Sequence, residues 1–478
     1  MFKNKILEKM MWRFVLLVFP LSLMAQDPVI FSNDKYSGIS GVGFSPTQPF
    51  FNPNLWDVNV VAEDIFVQNN YTYISNLSIV GIPRADIKSV NLFDNVMGVT
   101  GLHIQDYYNK AKGGYHFSSD LLGPSFSFTT DIQQKKYVFG LFTRVRTQGS
   151  ALDIDNYSRI NNTNTDAVYL YDFHPFKTNF MNWGEVGINV STQIFEKKEF
   201  RLVLGGSLKY EIGYDAMKIN SKNTANIVRT VDSNFATDGV LTNYNIDASY
   251  ATAYDSEKKK YDFKPNGRGL GADVGLTFIK WNYRMEDYDY KISFNVLDIG
   301  YINFKGQNHH FRGRPFDFNS LSGRNINSPE ELMHILSEEV YGDPDASLVG
   351  SDFSIGLPTS MHVNMSKRIR DDHYLNFDLV QRAPVFKNSL RRANIANVSY
   401  SVQKKILGYG ASVSMYEFRD LQLGTYLRLG PLIIGSENFL PLFFKQKKLH
   451  SADFYFAIKI YPFIERNRDK PHRSNCKC

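Results

Sequence analysis

The sequence predicts an all-β chain closed into a transmembrane antiparallel β-barrel of about 14 strands. Three observations predict it. An export signal opens the chain, apolar and polar residues alternate with period two over long segments, and short turns alternate with long loops. Composition agrees with sheet. Of 478 residues 14% are aromatic, with 37 Phe and 28 Tyr, residue types that suit strands. The net charge of +6 is mild for this length. No basic tract marks a nucleic-acid partner.

Residues 1–25 read as a signal peptide. Lys3, Lys5, Lys9 and Arg13 are basic, Phe14 to Leu23 is apolar and broken by Pro20, and Met24-Ala25 precedes a cleavage point. The apolar run falls short of the roughly 20 residues a spanning helix needs. Met10 or Met11 is an alternative start. The only cysteines are Cys476 and Cys478. Two thiols alone make no metal site, and the exported chain is not built on disulfides. No cofactor is implied.

The strands come next. From Trp183 to Phe195, Val186, Ile188, Val190 and Ile194 share one face, opposite Glu185, Asn189, Ser191 and Gln193. After Glu196–Glu199, Leu202, Leu204, Leu208 and Tyr210 oppose Arg201, Ser207, Lys209 and Glu211. The pattern recurs around Asp273, around Lys291 and Asn295, and at Asp378, Arg428, Asp453 and Lys459. Soluble strands cluster near five or six residues, whereas spanning strands need about 9 to 11. A sheet in hydrocarbon must close, because an open edge leaves unpaired amides there.

Short connections fall near Gln133–Lys136, Glu196–Glu199, Lys280–Asp289, Arg370–Asp372 and Lys404–Leu407. Long ones fall near Asn69–Pro124, Thr147–Asn182, Asp215–Arg268, Lys305–Pro358 and Arg382–Ile395. Short turns on the periplasmic side and long loops outside give the orientation. The barrel is expected over residues 56–463, with Tyr244–Tyr254 left in a loop and a short strand at Leu432–Ser436. Residues 26–55 are rich in Gly and Pro and read as an N-terminal plug segment. Residues 464–478 read as a flexible periplasmic tail.

Candidate chemistry is sparse. Gly267-x-Gly269-x-Gly271 lacks the helix a nucleotide loop requires. His362 shares the inner face with Ser360, Asn364 and Ser366, and with His309-His310 it lacks further metal ligands. An outer-membrane phospholipase would need its Ser–His pair on the lipid face, which this phase excludes. Asp343-Pro344-Asp345 reads as a turn with two of the oxygens a calcium loop would use. Ser328-Pro329-Glu330-Glu331 opens a helix to about Val340, with Leu332, Ile335, Leu336 and Val340 as its apolar face. The main polar constellation is lumenal: Glu185, Arg201, Lys209, Glu211, Asp273, Lys291, Asn295, Asp378, Arg428, Asp453 and Lys459. These charges either brace the barrel as salt bridges or line a narrow polar path.

Asn52-Pro53 before the first strand resembles the Asn-Pro-Ala element of FadL-like barrels. Asn54 stands where such chains usually carry Ala, so no FadL mechanism is carried over. Gly269–Leu276 with Val296–Gly300 resembles paired strands of PorV-type barrels in Bacteroidota. Gly424–Pro431 with Ala452–Phe456 is similar to the DUF5723-like family of outer-membrane barrels. The resemblance implies 14 strands with an N-terminal plug at Asn52 and Pro53, and no catalytic residues.

Two functions follow as expectations. One is a structural or accessory outer-membrane component working with partner proteins of the outer membrane or periplasm in secretion, assembly or surface display. The other is a FadL-like transporter of small hydrophobic compounds. Its surroundings would be the lipid bilayer and lipopolysaccharide.

Overall fold

The computed structural model describes residues 28–89, 102–107, 112–155, 167–231, 237–255, 258, 260–281, 287–317, 326 and 328–462. Residues 1–25, read as a signal peptide, and residues 464–478, read as a tail with Cys476 and Cys478, lie outside them. Alternating residues that cannot share one environment drive the chain into a closed meander of 14 staves. They are β1 (Trp56–Asn69), β2 (Lys112–Leu122 and Ser125–Ile132), β3 (Lys135–Asp155), β4 (Lys177–Lys197), β5 (Phe200–Ser221), β6 (Asn245–Ala251 and Gly267–Trp281) and β7 (Tyr288–Arg312). Then come β8 (Leu348–Gly356 and Ser360–Arg370), β9 (His373–Arg382), β10 (Ile395–Gln403), β11 (Leu407–Tyr416), β12 (Asp420–Leu429), β13 (Leu432–Ser436) and β14 (Ser451–Ile460). β1 pairs antiparallel with β14 on one edge and with both halves of β2 on the other, which closes the ring.

The wall is inside-out relative to a soluble protein. Leu208, Leu270 and Phe294 are 64%, 71% and 55% exposed, while Ser207, Lys209 and Asp273 are 3%, 3% and 4% exposed. That is the distribution lipid outside and polar partners inside would select.

Several stretches read as long loops belong to the wall, Leu348–Gly356 of β8 among them, and two show why. Lys112–Leu122 belongs to stave β2 rather than to a loop, paired with β1 and β3. Its Gly113-Gly114 and Ser118-Ser119 blur the alternation, and Pro124, which lacks an N–H, interrupts the stave. Asn245–Ala251 extends β6 between β5 and β7 rather than lying in a loop. It is buried on both faces towards its end, so period two is lost.

At the long-loop end, Ala167–Phe173, Ala225–Val231, Thr237–Thr242 and Phe316–Asp317 form a separate four-stranded sheet. Among the described residues, three short strands lie in the loop after β1. Helix α2 (Pro329–Tyr341) is capped as its sequence demands. The Ser328 hydroxyl accepts from Glu331 N at 3.1 Å, and Gly342 closes it at φ +79°. Its docking face is shifted from the one the sequence suggested. Met333, Leu336, Val340 and Tyr341, not Leu332 and Ile335, pack with Phe311, Phe316 and Tyr244. Asp343 and Asp345 form a turn, with Asp345 N donating to Asp343 Oδ1 at 2.8 Å.

The lumen holds the N-terminal segment. Residues 28–55 carry helix α1 (Val29–Ser32, numbered before α2 in the chain) and two 3-10 turns, Gly38–Gly41 and Gln48–Phe51. The wall makes room for them with glycine. A Cβ on Gly205 would lie 2.5 Å from Pro46 O.

An apolar outer face in hydrocarbon has a measurable consequence. Leu208→Arg is expected to destabilise the barrel by about 2–4 kcal/mol, if it lies near the bilayer midplane. Urea unfolding in lipid vesicles checks it, and an unchanged midpoint would mean that this face is not in lipid.

Candidate functional site

Inward-facing strand positions meet either one another or the N-terminal segment, and the sequence could not tell which. Glu185 on β4, Lys209 on β5 and Asp273 on β6 do meet one another, through partners the sequence reading missed. Arg146 on β3 bonds Glu185 Oε1 at 3.0 Å and Asp298 Oδ1 at 2.9 Å. Lys209 Nζ donates to Asp273 Oδ1 at 2.9 Å and also to Asp298. Arg144 pairs with Asp120 at 3.0 Å. Arg392, from the loop after β9, reaches Asp298 at 3.7 Å. Glu211 sits across the strand pair from Glu185, and the space for its carboxylate comes from Gly271, where a Cβ would lie 2.4 Å from Glu211 Oε1.

Asp298 is the hub, and a bulge puts it there. Its φ is +56°, and the β6–β7 register shifts between Ala272 and Val274. Leu297 and Asp298 both turn inward, so the inner phase of β7 switches from odd to even residues. Period-two counting places Asp298 on the lipid face, which is why it was missed. Arg144 and Arg146 were legible in principle, since they alternate with Leu141 and Val145.

Most of the other lumenal candidates hold the N-terminal segment, directly or through one neighbour. Asn33 Nδ2 donates to Asp378 Oδ2 at 2.8 Å. Ser45 Oγ donates to Asn295 Oδ1 at 2.9 Å, and Lys291 Nζ donates to Gln48 Oε1 at 3.3 Å. Arg428 pairs with Asp34 at 3.1 Å, both side chains fully buried, with its guanidinium 4.4 Å from the centre of the Tyr36 ring. Arg428 also donates to the carbonyls of Lys404 and Lys405 at 2.8 and 2.9 Å. Lys459 pairs with Asp57 at 2.6 Å, again fully buried, and donates to the Tyr36 and Ser37 carbonyls. Asp453 accepts from Glu437 N, and Glu437 Oε1 accepts from Ile30 N at 2.9 Å. Arg201 stands apart at the short-turn rim, paired with Glu196 at 3.0 Å and over the Trp281 ring.

Asn52 shapes the approach to β1: its Oδ1 accepts from Asn54 N at 3.0 Å and Asn54 Nδ2 at 3.1 Å. Pro53 follows within that turn. His362 lies 3.2 Å from Ser360 Oγ and beside Phe44. His309 contacts Ser347, and His310 contacts Asp247. Glycines 267, 269 and 271 lie in β6, and a Cβ on Gly269 would sit 2.1 Å from Tyr301 O, so their role is close strand packing.

The mouth is covered from outside. Asn179 Nδ2 donates to Ser389 O at 3.0 Å and Arg391 N to Ser150 Oγ at 2.9 Å, which folds the loop after β9 inward. Beneath it a cleft with a cavity volume of about 40 Å³ is lined by Val29, Phe66, Val380, Leu390 and Ile395, with His116 and Arg391.

These features define a transmembrane barrel whose lumen is occupied by its own N-terminal segment. The family model "Family of unknown function (DUF5723)" matches residues 57–437, and the chain belongs to that family. No curated protein matches. Among solved structures, the chain is similar to a TodX deltaS2S3 mutant monoaromatic hydrocarbon channel, at 7% identity and TM-score 0.25, over 92% of this chain and 99% of that one. It is also similar to a Pseudomonas aeruginosa FadL homologue, at 8% identity and TM-score 0.20, over 93% and 96%.

Removing one partner of a buried ion pair strands the other. Asp34→Ala is expected to cost about 3–5 kcal/mol by leaving Arg428 uncompensated. Adding Arg428→Met should restore most of it. Urea unfolding followed by tryptophan fluorescence checks both, and a single variant as stable as the parent would refute the anchoring role.

Proposed function

We propose that this protein sits in a bacterial outer membrane as a barrel held shut, and serves there as a structural or accessory component, not an enzyme. Its partners would be proteins of the outer membrane or periplasm engaged in secretion, assembly or surface display. The proposal includes a finer placement in the PorV-type branch of Bacteroidota barrels, carried by the β6 and β7 stretches that meet at Gly271 and Gly300.

The observation that carries the closed reading is the burial of the lumenal charges. Arg146, Glu211, Arg428, Asp453 and Lys459 are all 0% exposed. A water-filled pore would leave its charged lining accessible. Here the inner charges are instead met by neighbouring side chains or by the N-terminal segment, and the loop after β9 folds over the mouth.

A second reading, passage of small hydrophobic compounds, is favoured by one observation, the apolar cleft under the loop after β9. Ala393→Trp would fill it, and saturable binding of a fluorescent hydrophobic probe that this variant abolishes would favour transport.

The closed reading is tested in planar bilayers. The intact protein should be silent, and a variant lacking residues 28–55 should conduct, because the polar lumen is then emptied. Sustained conductance from the intact protein would overturn it. The accessory role is tested by gentle solubilisation of native membranes, which should yield a partner at fixed stoichiometry. Recovery of the barrel alone would count against it.

A further inference from the structure

The barrel wall has a notch at β13. Ser436 pairs with Thr425, yet β12 runs on outward to Asp420. β13's pairing with β14 likewise stops at Tyr455, while β14 extends outward to Ser451. Among the described residues, no strand lies between them over that stretch. The gap is bridged by Glu437 to Phe439, with Phe439 N donating to Leu423 O at 2.9 Å, and then by helix α3 (Leu440–Phe443).

Helix α3 packs its Pro441 and Leu442 inward, against β14 and the 3-10 turn Ile79–Arg84. Its outward residues remain open: Phe443 is 67% exposed and Phe444 58%, beside Val80 at 63%. The chain then reads Lys445-Gln446-Lys447-Lys448, with all three lysines exposed and no acid from Leu440 to His450. Backbone bonds hold this stretch in place against the loop after β1: Gln446 N to Leu77 O at 2.9 Å and Leu449 N to Ile74 O at 2.8 Å. Lys448 Nζ lies 4.8 Å from the centre of the Tyr73 ring. Arg84 is exposed on the same 3-10 turn. The surface therefore passes from apolar to cationic within a few residues, at the rim where strands leave the lipid.

We propose that this notch is a binding site for a phosphate-bearing lipid of the leaflet at the long-loop end. Acyl chains lie on Phe443, Phe444 and Val80, and the phosphates meet Lys445, Lys447 and Lys448. Exposed aromatic side chains beside basic ones match an amphiphile's own gradient, and the charge is complementary. The site rests on the outward orientation of the long loops, not on whether the lumen is shut.

The experiment titrates fluorescent lipid A, carrying both its phosphates, into the detergent-solubilised full chain. K445Q/K447Q/K448Q should weaken binding on the order of a hundredfold at low salt, at about 1 kcal/mol per charge. Phosphate-free lipid A should bind the parent and this variant alike, and weakly. F443S/F444S should weaken both lipids. All these residues are exposed, and heat-modifiable gel mobility confirms that each variant folds. Equal affinity of parent and triple-lysine variant for lipid A, or equal affinity of the parent for the phosphate-free lipid, overturns the site. Orientation is read separately, by labelling Lys447→Cys with an impermeant maleimide in intact cells. An unlabelled cysteine there would overturn the leaflet assignment while the titration stands.

Discussion

Within hydrocarbon, a backbone amide has no partner except another backbone group. That constraint closes β1 onto β14 and fixes the rest of the molecule. A closed ring of 14 staves leaves every second side chain facing a space too wide for side chains alone to fill. The inner face must then be either wet or occupied. Here it is occupied by residues 28–55, which supply what the wall lacks. Asp34 meets Arg428, Asn33 meets Asp378, and the carbonyls of Tyr36 and Ser37 meet Lys459. Within the wall, Asp57 on β1 completes the Lys459 pair. Burying these polar residues inside a membrane barrel is affordable because they meet partners there.

The ion pairs do more to specify the structure than to stabilise it. Taking charges out of water costs nearly what their attraction returns, so a buried network is weak evidence of stability. A missing partner is expensive, however, and that penalises wrong registers. Asp298 shows how. It bonds Arg146 on β3, Lys209 on β5 and Arg392 from the mouth loop. A slip of one residue in β7 would turn Asp298 to lipid and take a carboxylate partner from three cations. The bulge that brings Leu297 and Asp298 to the same face is thereby pinned, and with it the pairing of β6 with β7.

The same bulge marks the limit of what the sequence reveals. Alternation around Val186–Ile194, Leu204–Tyr210 and Leu375–Leu379 was plain, because those strands keep one phase and face lipid with large apolar residues. Strands broken by glycine pairs or by Pro124 lose that signal, as Lys112–Leu122 does although its pairing with β1 is regular. Asn245–Ala251 lies outside the lipid zone, where neither face must be apolar. Inner and outer faces were readable, but the partner of each inner residue was not. Lys459 could have met a wall carboxylate or a carbonyl of the N-terminal segment, and only the three-dimensional path of residues 28–55 decides. Asp34 had no periodic context at all.

A filled interior moves function to the surfaces that folding leaves unsatisfied. Along most of the wall these are ordinary lipid-facing side chains, uniform by necessity. At β13 the wall departs from regularity. A strand that stops early forfeits ladder bonds with both neighbours, a cost that is bearable only because Phe439 and Ser436 restore some of them with Leu423 and Asp453. A second strand turn could have filled the same gap. The chain instead places a short helix there and turns its Phe443 outward, followed by a cluster of lysines. Barrel closure requires neither the exposed aromatics nor the uniform charge, so their reason lies outside the fold, in what lies against that notch.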